Sequence, residues 1–212
     1  MDYLRAYPLP RPTGISGFKA GPGAAANSMY SFDAGEAHSV ILNEYFDGAR
    51  DDFIPPSNPE LAGDAGEALL SWFAADLDAA LATKPQFIFV FGHEPIYPLP
   101  DAANGRSRHL GDCLDGHPDN ARRLLDLLIS RDVSAYVCGH TYNFSAALLD
   151  GLLQVDVGHS RGKADVGAMS SFVKANIYSN IAEFTVYRSA DGINYQLDRT
   201  IRIRARYSMA EG

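Results

Sequence analysis

Two largely apolar runs, at 86–91 and 133–138, constrain the fold more than any other feature of the chain. A strand with one wet face alternates apolar and polar residues; a continuous apolar run marks a strand buried on both faces. The segment at 118–131 between them repeats Leu124, Leu125, Leu127, Leu128 and Ile129 at helical spacing. Strand, helix and strand in that order predict a parallel pair with the helix laid across it. A second helix is predicted at 67–81, where Leu69, Leu70, Phe73, Leu77, Ala80 and Leu81 recur on one face and Lys84-Pro85 stops the pattern. Ahead of it, 29–34 and 38–45 read as strands joined through Ala34-Gly35-Glu36. From about Ala146 short alternating strands follow, at 146–150, 152–157, 173–178, 181–188 and 195–204. The predicted class is α/β, of the α+β sandwich kind: a mixed sheet covered by helices, with an antiparallel sheet beside it. Residues 1–28, rich in Gly, Pro and Ala, read as an extended arm or loop, 29–205 as the domain and 206–212 as a tail.

Composition narrows the function. A chain of 212 residues with 46% hydrophobic residues can bury a core. The net charge of −8 and the lack of any long Lys/Arg run exclude a polyanion-binding surface, so no nucleic-acid partner is expected. A small phosphorylated substrate stays open, because a bound metal can supply local positive charge. No targeting segment and no apolar stretch of membrane-spanning length is visible, so no membrane partner is expected and the compartment is left undetermined. Two cysteines, Cys113 and Cys138, do not make a disulfide scaffold; Cys138 reads as an inert buried thiol, with a single disulfide left open.

Both apolar runs end in Gly followed by His. The first leads into Gly92-His93-Glu94-Pro95, the second into Gly139-His140-Thr141-Tyr142-Asn143. Glycine lets the chain turn, and ligands of open α/β sheets bind at the carboxyl ends of strands. Two histidines delivered there by neighbouring strands could share a metal through neutral imidazoles, or could be ordinary loop residues. The loop at 104–118 carries Arg106, Arg108, His109, Asp112, Asp115 and His117. His109 and His117 could donate protons or bind phosphate; Asp115-Gly116-His117-Pro118 could equally cap the helix that starts at Pro118. His159 after Gly158 reads as a structural or rim residue, and His38 as a strand residue.

The ordered pair resembles the last two motifs of the calcineurin-like metallophosphoesterases, G-H-x-P after a buried strand and then G-H-x-H. Tyr142 stands where the last histidine belongs. The segment 30–42, Tyr-Ser-Phe-Asp-Ala-Gly-Glu-Ala-His-Ser-Val-Ile-Leu, is similar to the strand pair that follows G-N-H-[DE] in purple-acid-phosphatase-like members. The resemblance covers roughly 28–190. It implies the C-terminal half of a metallo-dependent phosphatase fold and hydrolysis of phosphate esters at a binuclear site of Fe, Zn or Mn. His93 and His140 would ligate the second metal, and Tyr142 would be a weakened or lost ligand of the first.

No D-x-H motif stands ahead of the Gly-His pair, and no G-N-H-[DE] motif is present. In the family those supply the bridging aspartate and most ligands of the first metal. The expectation is therefore a truncated, incomplete phosphoesterase whose uncovered sheet edge favours self-association. The alternative is a non-catalytic half-domain that acts as a binding module.

Overall fold

The computed structural model describes residues 14–46, 63–160 and 167–207. Most of the loop expected at 47–66 lies outside them. The elements run β1 (Ile15–Ala20), β2 (Tyr30–Ala34), β3 (Ala37–Ile41), α1 (Glu67–Leu81), β4 (Phe87–Phe91), α2 (Pro118–Ser130), β5 (Ala135–Cys138), β6 (Phe144–Leu149), β7 (Leu152–Val157), β8 (Ser170–Ile177), β9 (Ile181–Ser189) and β10 (Gln196–Arg204). Seven strands form one sheet in the order β1-β2-β3-β4-β5-β7-β6, and three form a second in the order β10-β9-β8. Strands β3, β4, β5 and β7 run parallel; β1, β2 and β6 join antiparallel, and the second sheet is wholly antiparallel. This is the predicted architecture.

The apolar run of β4 shows why its sequence does not alternate. Ile88 and Val90 point into a core with Leu69, Phe73 and Leu77 of α1 and Leu124 and Leu128 of α2. Phe87 and Phe89 point the other way, into a core with Phe144, Phe184 and Val186. The period-2 side-chain alternation of a strand sorts these residues between helices and second sheet, so both faces demand apolar groups. The result is three layers: helices, large sheet, small sheet.

The helix ends follow local chemistry. In α1, Lys84 adopts a left-handed φ of 53° and Pro85 forbids continuation. In α2, Pro118 occupies the first turn, where its missing N–H costs nothing. Its C-terminus closes with Asp132 N–H on the Ile129 carbonyl and Val133 N–H on the Leu128 carbonyl, a Schellman arrangement with Asp132 at φ 54°.

The N-terminal stretch departs from expectation. Residues 15–20, expected as unpaired arm, pair with β2 as an edge strand, with a register shift between Ser16 and Lys19. Backbone pairing, rather than side-chain pattern, places this strand, so hydrophobic periodicity could not reveal it. Cys113 and Cys138 are both free and buried. No helix among the described residues is long and apolar enough to cross a membrane.

One buried polar network ties β1, β2 and β3 to α1. His38 Nδ1 lies 2.7 Å from Asp33 Oδ1, and its Nε2 lies 3.2 Å from Asp76 Oδ2. Ser31 Oγ donates to Asp76 Oδ1 at 2.8 Å, and Lys19 Nζ stands 3.2 Å from the same oxygen. Burial pulls the His38 pKa down, but the bonds and charges of Asp76 and Asp33 outweigh it and hold it above 6.5. Burial likewise pushes Asp76 up, and the bonds from His38, Ser31 and Lys19 more than reverse this, leaving it below 3.8. A raised imidazole stabilises fully below pH 6.5 and loses that contribution as pH rises through its folded value; a lowered carboxyl stabilises above pH 3.8 and loses it as pH falls. The contribution of the network is therefore greatest between those limits. Denaturant unfolding should show His38→Gln costing ~1–3 kcal/mol at pH 5.5 and distinctly less at pH 8; equal costs at the two pH values would exclude a charged His38 from the fold.

Candidate metal centre

The parallel register of β4 and β5 sets Phe91 opposite Val137, so both strands end at one rim. The two Gly-His turns are bonded to each other there: Gly92 N–H donates to the Val137 carbonyl at 3.0 Å, and Gly139 N–H to the His93 carbonyl at 3.0 Å. His140 Nδ1 and His93 Nε2 stand 3.1 Å apart, with the rings edge to face and their centroids at 5.0 Å. The sequence expectation that these two imidazoles share a rim matches this geometry.

The loop after β4 brings a third imidazole to the pair. The His109 ring centroid lies 4.6 Å from that of His140, and His109 Nδ1 lies 3.1 Å from Asp112 Oδ2. His109, Asp112 and His140 each offer a ligand atom within 4.8 Å of the others. Tyr142 stands edge-on to His109 at 6.4 Å between centroids and to His159 at 6.0 Å, and the Arg108 guanidinium lies 4.5 Å over its ring. His117 sits instead at the N-cap of α2, outside this ring cluster.

Buried polar contacts hold the loop in place. Asp101 Oδ2 accepts the Phe144 N–H at 3.0 Å and pairs with Arg188 of β9 at 2.7 Å, both side chains almost fully buried. Asn143 Nδ2 donates to the Arg106 carbonyl at 2.9 Å. Asp115 accepts Gly111 N–H at 2.7 Å and Cys113 N–H at 3.1 Å. The tripeptide Asp115-Gly116-His117 thus has a D-x-H spelling but serves as turn and cap. Three residues of the cluster, His109, His140 and Tyr142, hold left-handed φ values of 56°, 66° and 63°. Such conformations in non-glycine residues cost energy and collect at functional sites.

Electrostatics leave the imidazoles neutral. Burial lowers the His93 pKa. Burial first, then the charges of His93 and His109, push His140 down to about 4. Neutral imidazole is the ligating form. Two nitrogens bound at ~2.0–2.1 Å to one tetrahedral ion would stand about 3.4 Å apart; the observed 3.1 Å is close to that separation. His93 and His140 thus offer two neutral nitrogens at close to that spacing, beside the His109, Asp112 and His140 cluster.

Sequence reading missed what lies behind His93. Glu44 and Glu94 are both fully buried. Glu44 Oε1 accepts the His93 N–H at 2.6 Å, and Glu94 Oε2 accepts the Gly63 N–H at 2.9 Å while Oε1 accepts the Tyr45 hydroxyl. Burial raises each carboxyl to about 7. Asp156, bonded to Thr141 of the second Gly-His turn, is likewise raised by burial to about 7. A signal existed: Glu44 follows β3, the third parallel strand, so it had to reach the same rim.

Comparison with known proteins agrees with this geometry. Over 98 residues the chain is 37% identical to tartrate-resistant acid phosphatase type 5 of Rattus norvegicus and 36% identical to the Mus musculus protein. Each alignment covers 45% of this chain and 25% of the relative. The purple acid phosphatase PPD1 of yellow lupin superposes with a TM-score of 0.52 at 12% identity, covering 86% of this chain and 34% of that one. Over the 98-residue stretch the chain is similar to tartrate-resistant acid phosphatase, and its fold is that of purple acid phosphatase PPD1. No protein-family model matches it. The chain spans about a quarter of the length of the curated relatives it matches.

The imidazole states are directly measurable. In a histidine NMR titration of the metal-free protein, His140 should titrate near pH 4 and His93 below 6.5, while His38 titrates above 6.5. A His140 titrating at or above 6.5 would contradict the buried, closely packed pair.

Proposed function

We propose that this chain carries one half of a metal-dependent phosphoesterase centre, in which His93 and His140 hold a single ion. The observation that carries the reading is the 3.1 Å approach of His93 Nε2 and His140 Nδ1 at the carboxyl rim of two parallel strands. Imidazole donors of this kind suit Zn or Fe. When bound, such an ion supplies Lewis-acid polarisation of a phosphate oxygen. Homology to an acid phosphatase supports a phosphorylated small-molecule substrate.

The remaining residues have separable tasks in this reading. His109 has its Nδ1 engaged by Asp112, which leaves Nε2 to meet a substrate oxygen and hold or pass a proton there. The Arg108 guanidinium, stacked on Tyr142, stands at the edge of the cluster, where it would offset phosphate charge. His117 caps α2 and takes no part. Tyr142 serves as a support for the Arg108 guanidinium rather than as a ligand, since a phenol oxygen binds a metal well only once it has lost its proton. A binuclear centre needs donors beyond those gathered among the described residues, so this chain is expected to bind one ion and to hydrolyse phosphate esters slowly at best.

Calorimetric titration with Zn²⁺ and Mn²⁺, with metal analysis of the same sample, tests the reading. About one ion per chain should bind, and His93→Ala or His140→Ala should abolish measurable binding, whereas His117→Ala should leave it unchanged. Hydrolysis of an aryl phosphate should be weak, and what there is should fall with His109→Ala at unchanged metal content. A wild-type chain that binds neither metal at micromolar concentration would refute the metal centre and favour a non-catalytic binding module. Fast turnover with two ions per chain would show a complete site.

A further inference from the structure

Glu44 reaches the rim just after β3, and its side-chain hydrogen bonds run to the His93 turn and to Tyr136 of β5. Its Oε1 accepts the His93 N–H at 2.6 Å and the Glu94 N–H at 3.2 Å, and meets the Tyr136 hydroxyl at 3.0 Å. The same hydroxyl donates to the Glu94 carbonyl at 2.7 Å. The turn is thus held at two consecutive N–H groups and one carbonyl by two fully buried side chains from neighbouring strands.

The approach is close enough to dictate the sequence. A Cβ on Gly92 would stand 2.1 Å from Glu44 Oε1 and 2.1 Å from the Tyr136 hydroxyl. Glycine before His93 is therefore required by the Glu44 contact, not by backbone dihedral: Gly92 has no positive φ. The Glu44 backbone is fixed as well, its carbonyl accepting the Asp64 and Ala65 N–H groups at 3.1 Å each. Burying a carboxyl group is costly unless its bonds are made. Glu44 Oε1 bonds to that turn and to Tyr136, while Oε2 is buried without a hydrogen-bond partner among the described residues; a carboxyl held at such a cost indicates a task at the turn.

Building on the single-ion reading above, we propose that Glu44 is the positioning residue of the metal site, fixing the His93 peptide so that Nε2 faces His140 Nδ1. It does so as a hydrogen-bond acceptor rather than through its charge. Groups that orient a ligand from outside the coordination shell typically change metal affinity by about 10–100-fold when removed.

Cobalt titration of the full chain, followed by visible absorption, tests this. Glu44→Ala should weaken Co²⁺ binding by about 10–100-fold and alter the d–d spectrum of the saturated protein. Glu44→Gln keeps an acceptor oxygen and should bind with near-wild-type affinity and spectrum. Thermal unfolding of the metal-free variants separates positioning from simple stability. A folded Glu44→Ala with wild-type affinity and spectrum would overturn the proposal. So would a Glu44→Gln as weak as Glu44→Ala, which would assign the effect to charge. Should Glu44→Ala fail to fold, Tyr136→Phe carries the test, with weakened Co²⁺ binding expected and unchanged binding overturning it. A wild-type chain whose Co²⁺ affinity is indifferent to His93→Ala would instead refute the single-ion reading, and Glu44 with it.

Discussion

The bond from Gly139 N–H to the His93 carbonyl, 3.0 Å long, joins the two turns on which the rim is built. It continues the parallel β4–β5 ladder one step beyond both strands. A parallel ladder delivers residues after both strands to the same side, so strand pairing alone brings residues 47 positions apart in sequence into contact. The ladder in turn depends on two cores of different make, one against the helices and one against the small sheet. A slip of one residue in β4 would exchange Phe87 and Phe89 with Ile88 and Val90 between those cores. The bulk on the two faces differs enough to fix the register, and the register fixes the histidines.

Burial acts on this rim in two opposite ways. It lowers the basicity of His93 and His140 and raises the pKa of Glu44, Glu94 and Asp156 toward neutrality. Each shift disfavours charge, as expected where water is scarce. The imidazoles face each other across the opening, while the carboxyls lie behind the turns and bond to backbone N–H or hydroxyl groups. Imidazoles at the front and acceptors behind is the division of labour expected of a ligand shell and its support.

Much of this was legible in the sequence, and the reasons are local. The runs at 86–91 and 133–138, the helix pattern between them and the paired Gly-His turns were enough for the parallel pair and the shared rim. His109 could be nominated slightly ahead of His117, because Asp115-Gly116-His117-Pro118 also read as a helix start; the fold puts one ring in the cluster and the other residue at the N-cap position. Strand β1 was illegible because its pairing is a backbone matter. That Glu44 reaches the rim was legible from its place after a parallel strand, but its role was not, because that role arises from proximity to Gly92 and Tyr136, 48 and 92 positions away. Gly92 did carry a trace of it: a glycine with ordinary φ is there to leave room, not to turn.

Position 142 separates the framework of the site from its chemistry. The second turn keeps a strained shape, with His140 and Tyr142 both left-handed around Thr141. Strain of that kind persists only where the surroundings over-determine it. Here they do so without using the side chain at 142. Thr141 is buried against Asp156, its N–H bonds to the Gly139 carbonyl at 2.7 Å, and Asn143 is tied to the Arg106 carbonyl. The backbone there is held by contacts of residues 139, 141, 143 and 156. The Tyr142 ring carries the Arg108 guanidinium on its face and stands edge-on to His109. The geometry at His140 thus rests on buried polar contacts of residues 139, 141, 143 and 156.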